Sequence, residues 1–219
     1  NDGTNGAELW MYDGTNPPSM VANIYSGSLS SSPSNLTVFN GKLYFQANDG
    51  TNGAELYMYD GTNPPSLVSN INAGAGSSFP AYLTLFNSKL YFQADDGING
   101  AELWQYDGTN PPSIAANIYS GATSSFPSYL TVFNSKLLFQ ANDGTNGAEL
   151  WQYDGTNPPT MVANISSGAG SSTPSYLVVF SSKLYFQAND ATNGTELWMY
   201  DGTNPPSMVS NISAGAGSS

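Results

Sequence analysis

The stretch that decides the fold is residues 48–94, which reads NDGTNGAELYMYDGTNPPSLVSNINAGAGSSFPAYLTLFNSKLYFQA. The same text begins again, with few changes, at residues 1, 95, 142 and 189, so each step is 47 residues. The complete repeats are 1–47, 48–94, 95–141 and 142–188, and a partial repeat occupies 189–219. A period of roughly 20 to 50 residues is the signature of solenoid and propeller architectures. The chain, 1–219, is therefore predicted to be a single repeat domain.

Each repeat is predicted to contain four short strands. The first, 35–40, reads NLTVFN and is joined by a tight Asn40-Gly41 turn to the second, 42–47. The third is 55–59 and the fourth 67–71. The apolar runs are short, rich in aromatic and β-branched residues, and bounded by Gly, Pro, Asn and Asp, which favours strands over helices.

These strands have bulky side chains on both faces, since Leu43 and Phe45 point to one side and Tyr44 to the other. Such a pattern suits a sheet that is covered on both sides. Four strands in 47 residues match a blade of a β-propeller, whose faces pack against neighbouring blades. We therefore predict an all-β fold, a five-bladed β-propeller with four antiparallel strands per blade; a β-helix is the main alternative.

One blade is predicted to be incomplete, because the chain holds five pairs of third and fourth strands but only four pairs of first and second strands. The strand at residues 8–12 then lacks its hairpin partner, and such an edge invites self-association. The missing strands are cut away, unordered, or supplied by another chain. We expect that Ser219 is not the natural end, which the intact mass of the natural product would test.

The composition excludes several classes of function. Four basic against 16 acidic residues give a net charge of −12, which disfavours binding to nucleic acid and to anionic membranes. The absence of His and Cys removes imidazole and thiolate chemistry. The apolar runs are too short to insert into a membrane. Asp95-Asp96 is the only adjacent carboxylate pair and occurs in one repeat, so no enzyme is predicted.

The third strand and its turn have the most specific motif. It reads ELWMYDGT at residues 8–15 and ELYMYDGT at 55–62, then ELWQYDGT at 102–109 and 149–156, and ELWMYDGT at 196–203. This resembles the bacterial ELWxxDGT repeat family over essentially the whole chain. The resemblance implies a secreted or surface-attached bacterial protein and no catalytic residues. The period and copy number are also similar to those of the five-bladed tachylectin propellers, which bind amino sugars.

The loop before the third strand is a candidate calcium site, because its Asp, Asn and Glu side chains offer oxygen ligands. Calcium binds about six to eight oxygen ligands in proteins. The alternative is that Asp and Gly form the turn while Glu accepts hydrogen bonds from turn amides. The candidate ligands are Asp2, Asn5, Glu8, Asp49, Asn52, Glu55, Asp96, Asn99, Glu102, Asp143, Asn146, Glu149, Asp190, Asn193 and Glu196.

Two further series are candidate ligand contacts, and for both a structural role is the alternative. An indole ring offers a platform to the apolar face of a sugar, or else fills the core between blades. A repeated Gln at the end of the second strand either joins the blades or faces a ligand in the central channel. The residues are Trp10, Tyr57, Trp104, Trp151, Trp198, Gln46, Gln93, Gln140 and Gln187.

Two functions are compatible with these observations. The first is an extracellular, multivalent binding module, with carbohydrate as the expected ligand, because near-identical blades offer several equivalent weak sites. The second is a structural protein that assembles through the open edge at residues 8–12, as a natural, truncated or engineered repeat protein. Few charges and many Asn, Ser, Thr and Gly residues suit an extracellular location.

Overall fold

The computed structural model describes residues 1–212, and every regular element within them is a β-strand. Residues 213–219, the end of the partial fifth repeat, lie outside this range. The strands form one sheet of two strands and four sheets of four, all antiparallel. The fold is a β-propeller of five blades, one of which is incomplete. The described part contains no helix long and apolar enough to cross a membrane.

The blades follow one another along the chain. The incomplete blade contains β1 (Leu9–Met11) and β2 (Ser19–Ala22). The next contains β3 (Ser34–Phe39), β4 (Lys42–Asn48), β5 (Ala54–Tyr59) and β6 (Ser66–Ser69). Then come β7 (Ala81–Phe86), β8 (Lys89–Asp95), β9 (Ala101–Tyr106) and β10 (Ser113–Ala116). The following blade has β11 (Ser128–Phe133), β12 (Lys136–Asn142), β13 (Ala148–Tyr153) and β14 (Thr160–Ala163). The last has β15 (Ser175–Phe180), β16 (Lys183–Asn189), β17 (Thr195–Tyr200) and β18 (Ser207–Ser210).

The first two strands of each complete blade form a hairpin with a two-residue turn. Asn40 and Gly41 have φ angles of 48° and 72°, as a type I′ turn requires. The turn position of Gly41 is held by a serine in the other blades, and Ser135 has a φ of 57°. The predicted hairpin is thus present, at a conformational cost where serine replaces glycine.

The core lies between blades rather than within one sheet. Phe86 and Tyr91 of the β7–β10 blade pack against Leu137, Phe139 and Ala141 of β12 in the next blade. Corresponding clusters join the other neighbouring blades. Both faces of the β7–β10 and β11–β14 blades are apolar because each of these faces is covered by a neighbouring blade.

The innermost strands also contact one another directly. Thr84 Oγ1 donates a hydrogen bond to the backbone oxygen of Leu130 at 3.1 Å, and Thr131 Oγ1 donates to that of Leu177 at 3.3 Å. These bonds join the first strands of successive blades around the centre of the propeller.

The sequence placed the fourth strand too far along the chain. It was expected at 67–71, but β6 ends at Ser69, before Asn70. The side chain of Asn70 donates hydrogen bonds from Nδ2 to Asn52 Oδ1 and to the backbone oxygen of Gly74, both at 2.9 Å. The asparagine thus belongs to the loop that it holds together.

Candidate functional site

Each repeat closes two loops with an Asp-Gly-Thr-Asn turn, in which isoleucine replaces threonine at residue 98 and alanine replaces glycine at residue 191. Asp49 Oδ1 accepts hydrogen bonds from the backbone N–H groups of Thr51 and Asn52 at 2.8 Å, and Oδ2 accepts from Asn52 Nδ2 at 2.7 Å. Asp60 makes the equivalent bonds after the third strand, and those from Asn63 and Thr62 lower its pKa to about 2. These aspartates act as turn residues.

The glutamate of each repeat is buried beneath the loop that leads to the next blade. Glu55 Oε1 accepts from the backbone N–H groups of Ser78 at 3.0 Å and Asn72 at 3.3 Å. Glu55 Oε2 accepts from the backbone N–H of Ile71 at 2.9 Å and from Ser78 Oγ at 2.5 Å. Burial raises the pKa of Glu55, and the hydrogen bonds from Ser78 and the backbone amides oppose that rise. The equivalent residues Glu8, Glu102, Glu149 and Glu196 accept hydrogen bonds in their own repeats.

The residues predicted to bind calcium have their oxygens engaged by donors of the protein. In the second repeat, Asp49 bonds the turn, Asn52 Oδ1 accepts from Asn70, and Glu55 bonds the following loop. Within residues 1–212, no three acidic side chains come together as a metal would require. The geometry favours the alternative in which these residues shape the loops, and calcium binding stays a prediction.

The aromatic series lies mostly between blades. Tyr57, Trp104 and Trp151 are buried against the preceding blade, and Trp198 is half-buried there. Trp10, in the incomplete blade, is 37% exposed. The rings therefore serve the core first, and contact with a ligand is limited to their outward edges.

One member of the glutamine series makes a hydrogen bond within its own blade. Gln46, Gln93 and Gln140 are half-buried and Gln187 is exposed. Gln140 Nε2 donates a hydrogen bond at 3.1 Å to Ser128 Oγ, on the neighbouring strand of its own blade. This bond lies within a blade, and the cavity at the innermost strands is lined by residues 35–37, 82–84, 129–131 and 176–177 instead.

That axial cavity contains three tyrosines in tilted ring contact, which the sequence did not indicate. Tyr82 and Tyr129 have ring centroids 5.4 Å apart, and Tyr129 and Tyr176 5.6 Å apart. All three have φ angles of 54–58°, next to a shift in strand register. A bulge in each first strand thus turns the tyrosine toward its neighbour.

The outer junctions between blades form grooves. One groove of about 580 Å³ is lined by residues 115–118 of one blade and by Asp143, Trp151, Tyr153 and residues 156–159 of the next. Another, of about 360 Å³, is lined at the equivalent positions by residues 22–24 and by Asp49, Asn52, Tyr57, Pro64, Pro65 and Leu67. The same combination of amide, carboxylate, aromatic ring and Pro-Pro wall thus recurs at two junctions.

Each junction also holds buried polar atoms without a hydrogen-bond partner. On the later blade the atom is the polar atom of the aromatic residue, and at every described junction except the one at Asn117 the earlier blade adds the Oδ1 of an asparagine. The burial of Tyr57 and the neighbouring Asp49 carboxylate raise the pKa of that tyrosine, although its hydroxyl makes no standard hydrogen bond. Among residues 1–212, the unpartnered atoms are Asn23 Oδ1, Asn70 Oδ1, Asn164 Oδ1, Asn211 Oδ1, Tyr57 Oη, Trp104 Nε1, Trp151 Nε1 and Trp198 Nε1.

No protein-family model and no curated protein matches the chain. Solved structures do match. A puromycin hydrolase mutant is 14% identical with a TM-score of 0.56, over 82% of this chain and 28% of that one. A prolyl endopeptidase is 14% identical with the same TM-score, over 90% and 29%. The β-propeller domain of the Trilobed protease from Pyrococcus furiosus, described as having an open velcro topology, is 10% identical with a TM-score of 0.54, over 93% and 62%.

The chain spans less than a third of the length of the first two of these proteins. At identities of 10–14%, the likeness is one of fold: the chain is similar to the propeller domains of larger proteins.

Proposed function

We propose that the protein is a non-enzymatic, extracellular binding module that takes carbohydrate in the grooves between its blades. The observation that carries this proposal is the recurrence of one groove chemistry at equivalent junctions. A pyranose ring has an apolar face for the indole and proline surfaces, and hydroxyls for the amide and carboxylate groups. Several equivalent sites on one chain increase the avidity of weak binding.

The groove does not offer the groups that sugar hydrolysis needs. Glycoside hydrolysis uses two carboxyl groups, one on each side of the bond. The groove at residues 115–118 contains a single carboxylate, Asp143, whose Oδ1 already accepts hydrogen bonds from the N–H groups of Thr145 and Asn146. Binding without turnover is therefore the proposal.

A glycan array tests this proposal, with one arm in calcium and one in chelator. We expect binding in both arms, because the loop oxygens are occupied by donors of the protein. The double variant Tyr57→Phe/Trp151→Phe removes the hydroxyl or indole N–H of the aromatic ring in each of the two grooves while keeping an aromatic ring, and should weaken avidity about tenfold or more. Trp10→Phe is the matched control, since no groove among those described includes Trp10. Binding only in the presence of calcium would show that the metal is part of the site. The absence of binding in both arms would overturn the proposal.

A second candidate function is assembly, and one observation favours it: no neighbour within residues 1–212 covers one apolar face of the β15–β18 blade. Phe180 is 68% exposed, whereas Phe133 at the same repeat position is 3% exposed. The mass of the chain in solution, measured by light scattering with and without simple sugars, separates the two functions. An oligomer whose mass is unchanged by sugars supports assembly. A chain that stays monomeric at all concentrations contradicts self-assembly.

A further inference from the structure

The β15–β18 blade leaves uncovered the face that every other complete blade buries. Phe39, Phe86 and Phe133 are 2–4% exposed, but Phe180, their equivalent, is 68% exposed. Leu197, Val209 and Ile212 on the same face are also exposed, while the equivalent residues of the preceding blade pack in the core between blades. This face has the chemistry of a blade interface and no neighbour within residues 1–212.

The incomplete blade has a free strand edge, and in a closed ring of five blades this edge would adjoin the uncovered face. In residues 1–212, β1 pairs with β2 alone, and Trp10, Met11 and Tyr12 are exposed. In a complete blade this edge is occupied by the second strand: Leu137 pairs with Tyr153 and Phe139 with Trp151. The corresponding partners on the free edge are Tyr12 and Trp10.

In the complete blades, a single strand satisfies both features. On one face of β12 the side chains are Leu137, Phe139 and Ala141, which are fully buried. They pack on Phe86 of the preceding blade, while the backbone of β12 pairs with β13 in its own blade. A strand of this kind placed beside β1 would cover Phe180 in the same way.

We propose that the incomplete blade is a docking slot for a β-hairpin supplied by another chain. The hairpin pairs its second strand with β1 and lays alternate apolar side chains on Phe180 and Tyr12, which is strand addition to an exposed edge. The best fit is a hairpin of the repeat's own type, with a second strand of the form Lys-Leu-x-Phe-Gln-Ala. This inference deepens the assembly role proposed above and is independent of the sugar grooves.

Isothermal titration calorimetry with a peptide of residues 126–141, FPSYLTVFNSKLLFQA, tests the slot. We expect one peptide per chain, with a negative change in heat capacity from apolar burial. The control peptide has Asp in place of Phe139 and should not bind, because a charged side chain would face the apolar surface. Hydrogen exchange should slow at residues 9–12 and not in β8 or β12.

A pair of surface variants locates the site. Phe180→Ser should weaken peptide binding about tenfold or more, because the phenyl ring would no longer be buried on docking. Ile98→Ser is the matched control, since Ile98 is also exposed but lies in the loop between β8 and β9 of another blade, and should leave binding unchanged. Both positions are exposed, so neither change affects the core.

The outcomes separate the hairpin slot from self-assembly. Binding of the peptide by a monomeric chain supports the slot and contradicts a second copy of the chain as the occupant of the free edge. The absence of both binding heat and protection at residues 9–12 overturns the slot. A chain that is oligomeric without peptide, with the Phe180 face already protected, has a second copy as the occupant, which overturns the hairpin inference and leaves the assembly role standing.

Discussion

A buried carboxylate in each repeat ties the third strand to the loop that leads into the next blade. Glu55 is fully buried, yet all its partners are donors: the N–H groups of Ile71, Asn72 and Ser78 and the hydroxyl of Ser78. The cost of burying the charge is offset because the four bonds satisfy both oxygens. The residue thereby fixes where one blade ends and the next begins.

Glu55→Gln should destabilise the protein by about 1–3 kcal/mol, although it removes a buried charge. An amide group has one acceptor oxygen, so its NH₂ would face a backbone N–H or the Ser78 hydroxyl, and a buried donor would stay unpaired. Urea unfolding measures the change. Asp95→Asn is the control, because asparagine occupies that position in the other repeats. Equal stability of both variants would contradict this role of Glu55.

The two kinds of carboxylate predict a stability maximum in weak acid. Hydrogen bonds from Asn5 and Thr4 lower the pKa of Asp2 to about 2, below the value of about 3.9 in an unfolded chain. The stability contributed by such turns is complete above about pH 4 and is lost as the pH falls toward 2. Burial raises the pKa of Glu55 and Glu102, so these carboxyl groups bind a proton more tightly in the folded chain than in the unfolded chain. The stability that they contribute is complete below their unfolded pKa and is lost as the pH rises through their folded pKa.

Urea unfolding at about pH 7, 4.5 and 2.5 checks this balance, with the highest free energy of unfolding expected at the middle value. A free energy of unfolding that increases steadily up to pH 7 would show that the burial of the glutamates contributes little.

At the scale of the element, a two-residue turn of Asn134 and Ser135 joins β11 to β12. Ser135 has a φ of 57°, in the left-handed region, where a side chain costs energy that glycine avoids. Ser135→Gly should therefore raise the free energy of unfolding by about 1 kcal/mol, less the entropy that glycine gains in the unfolded chain. The midpoint of urea unfolding should increase with an unchanged slope.

Gly41→Ser is the reverse experiment on the β3–β4 turn, where Gly41 has a φ of 72°. It should lower stability by a similar amount. A loss of stability in both variants would mean that the serine hydroxyl, rather than the backbone angle, matters at this turn.

The strands were predictable because their apolar alternation is local, and the predicted second strand, 42–47, differs from β4 by one residue. The grooves were not predictable to the same degree. A groove joins Asn23 to Tyr57 and Pro64 across two blades, and sequence periodicity does not say which side chains meet there. The Pro-Pro wall was interpreted only as a turn signal. Buried Glu55 could be anticipated as a partner for turn amides, but not its contact with Ser78, 23 residues away.

At the scale of the whole molecule, stability is expected to vary from blade to blade, because each blade is held mainly by its neighbours. The β7–β10 and β11–β14 blades are covered on both faces. The incomplete blade buries Leu9 but exposes Met11 and Tyr12, and the β15–β18 blade exposes Phe180. Opening should therefore begin at these two and reach the middle blades last.

Hydrogen exchange measures this order directly. Amides of β1, β2 and β15 should exchange first, and those of β8, β9, β12 and β13 last, at a rate set by global unfolding. The matched comparison is between β5 and β17, which have the same repeat position but differ in the coverage of their blades, so β17 should exchange faster. Uniform exchange across all blades would show that the ring unfolds as one unit and that the open end is no weaker than the middle. In that case, the free edge of β1 and the exposed face around Phe180 are already covered in solution.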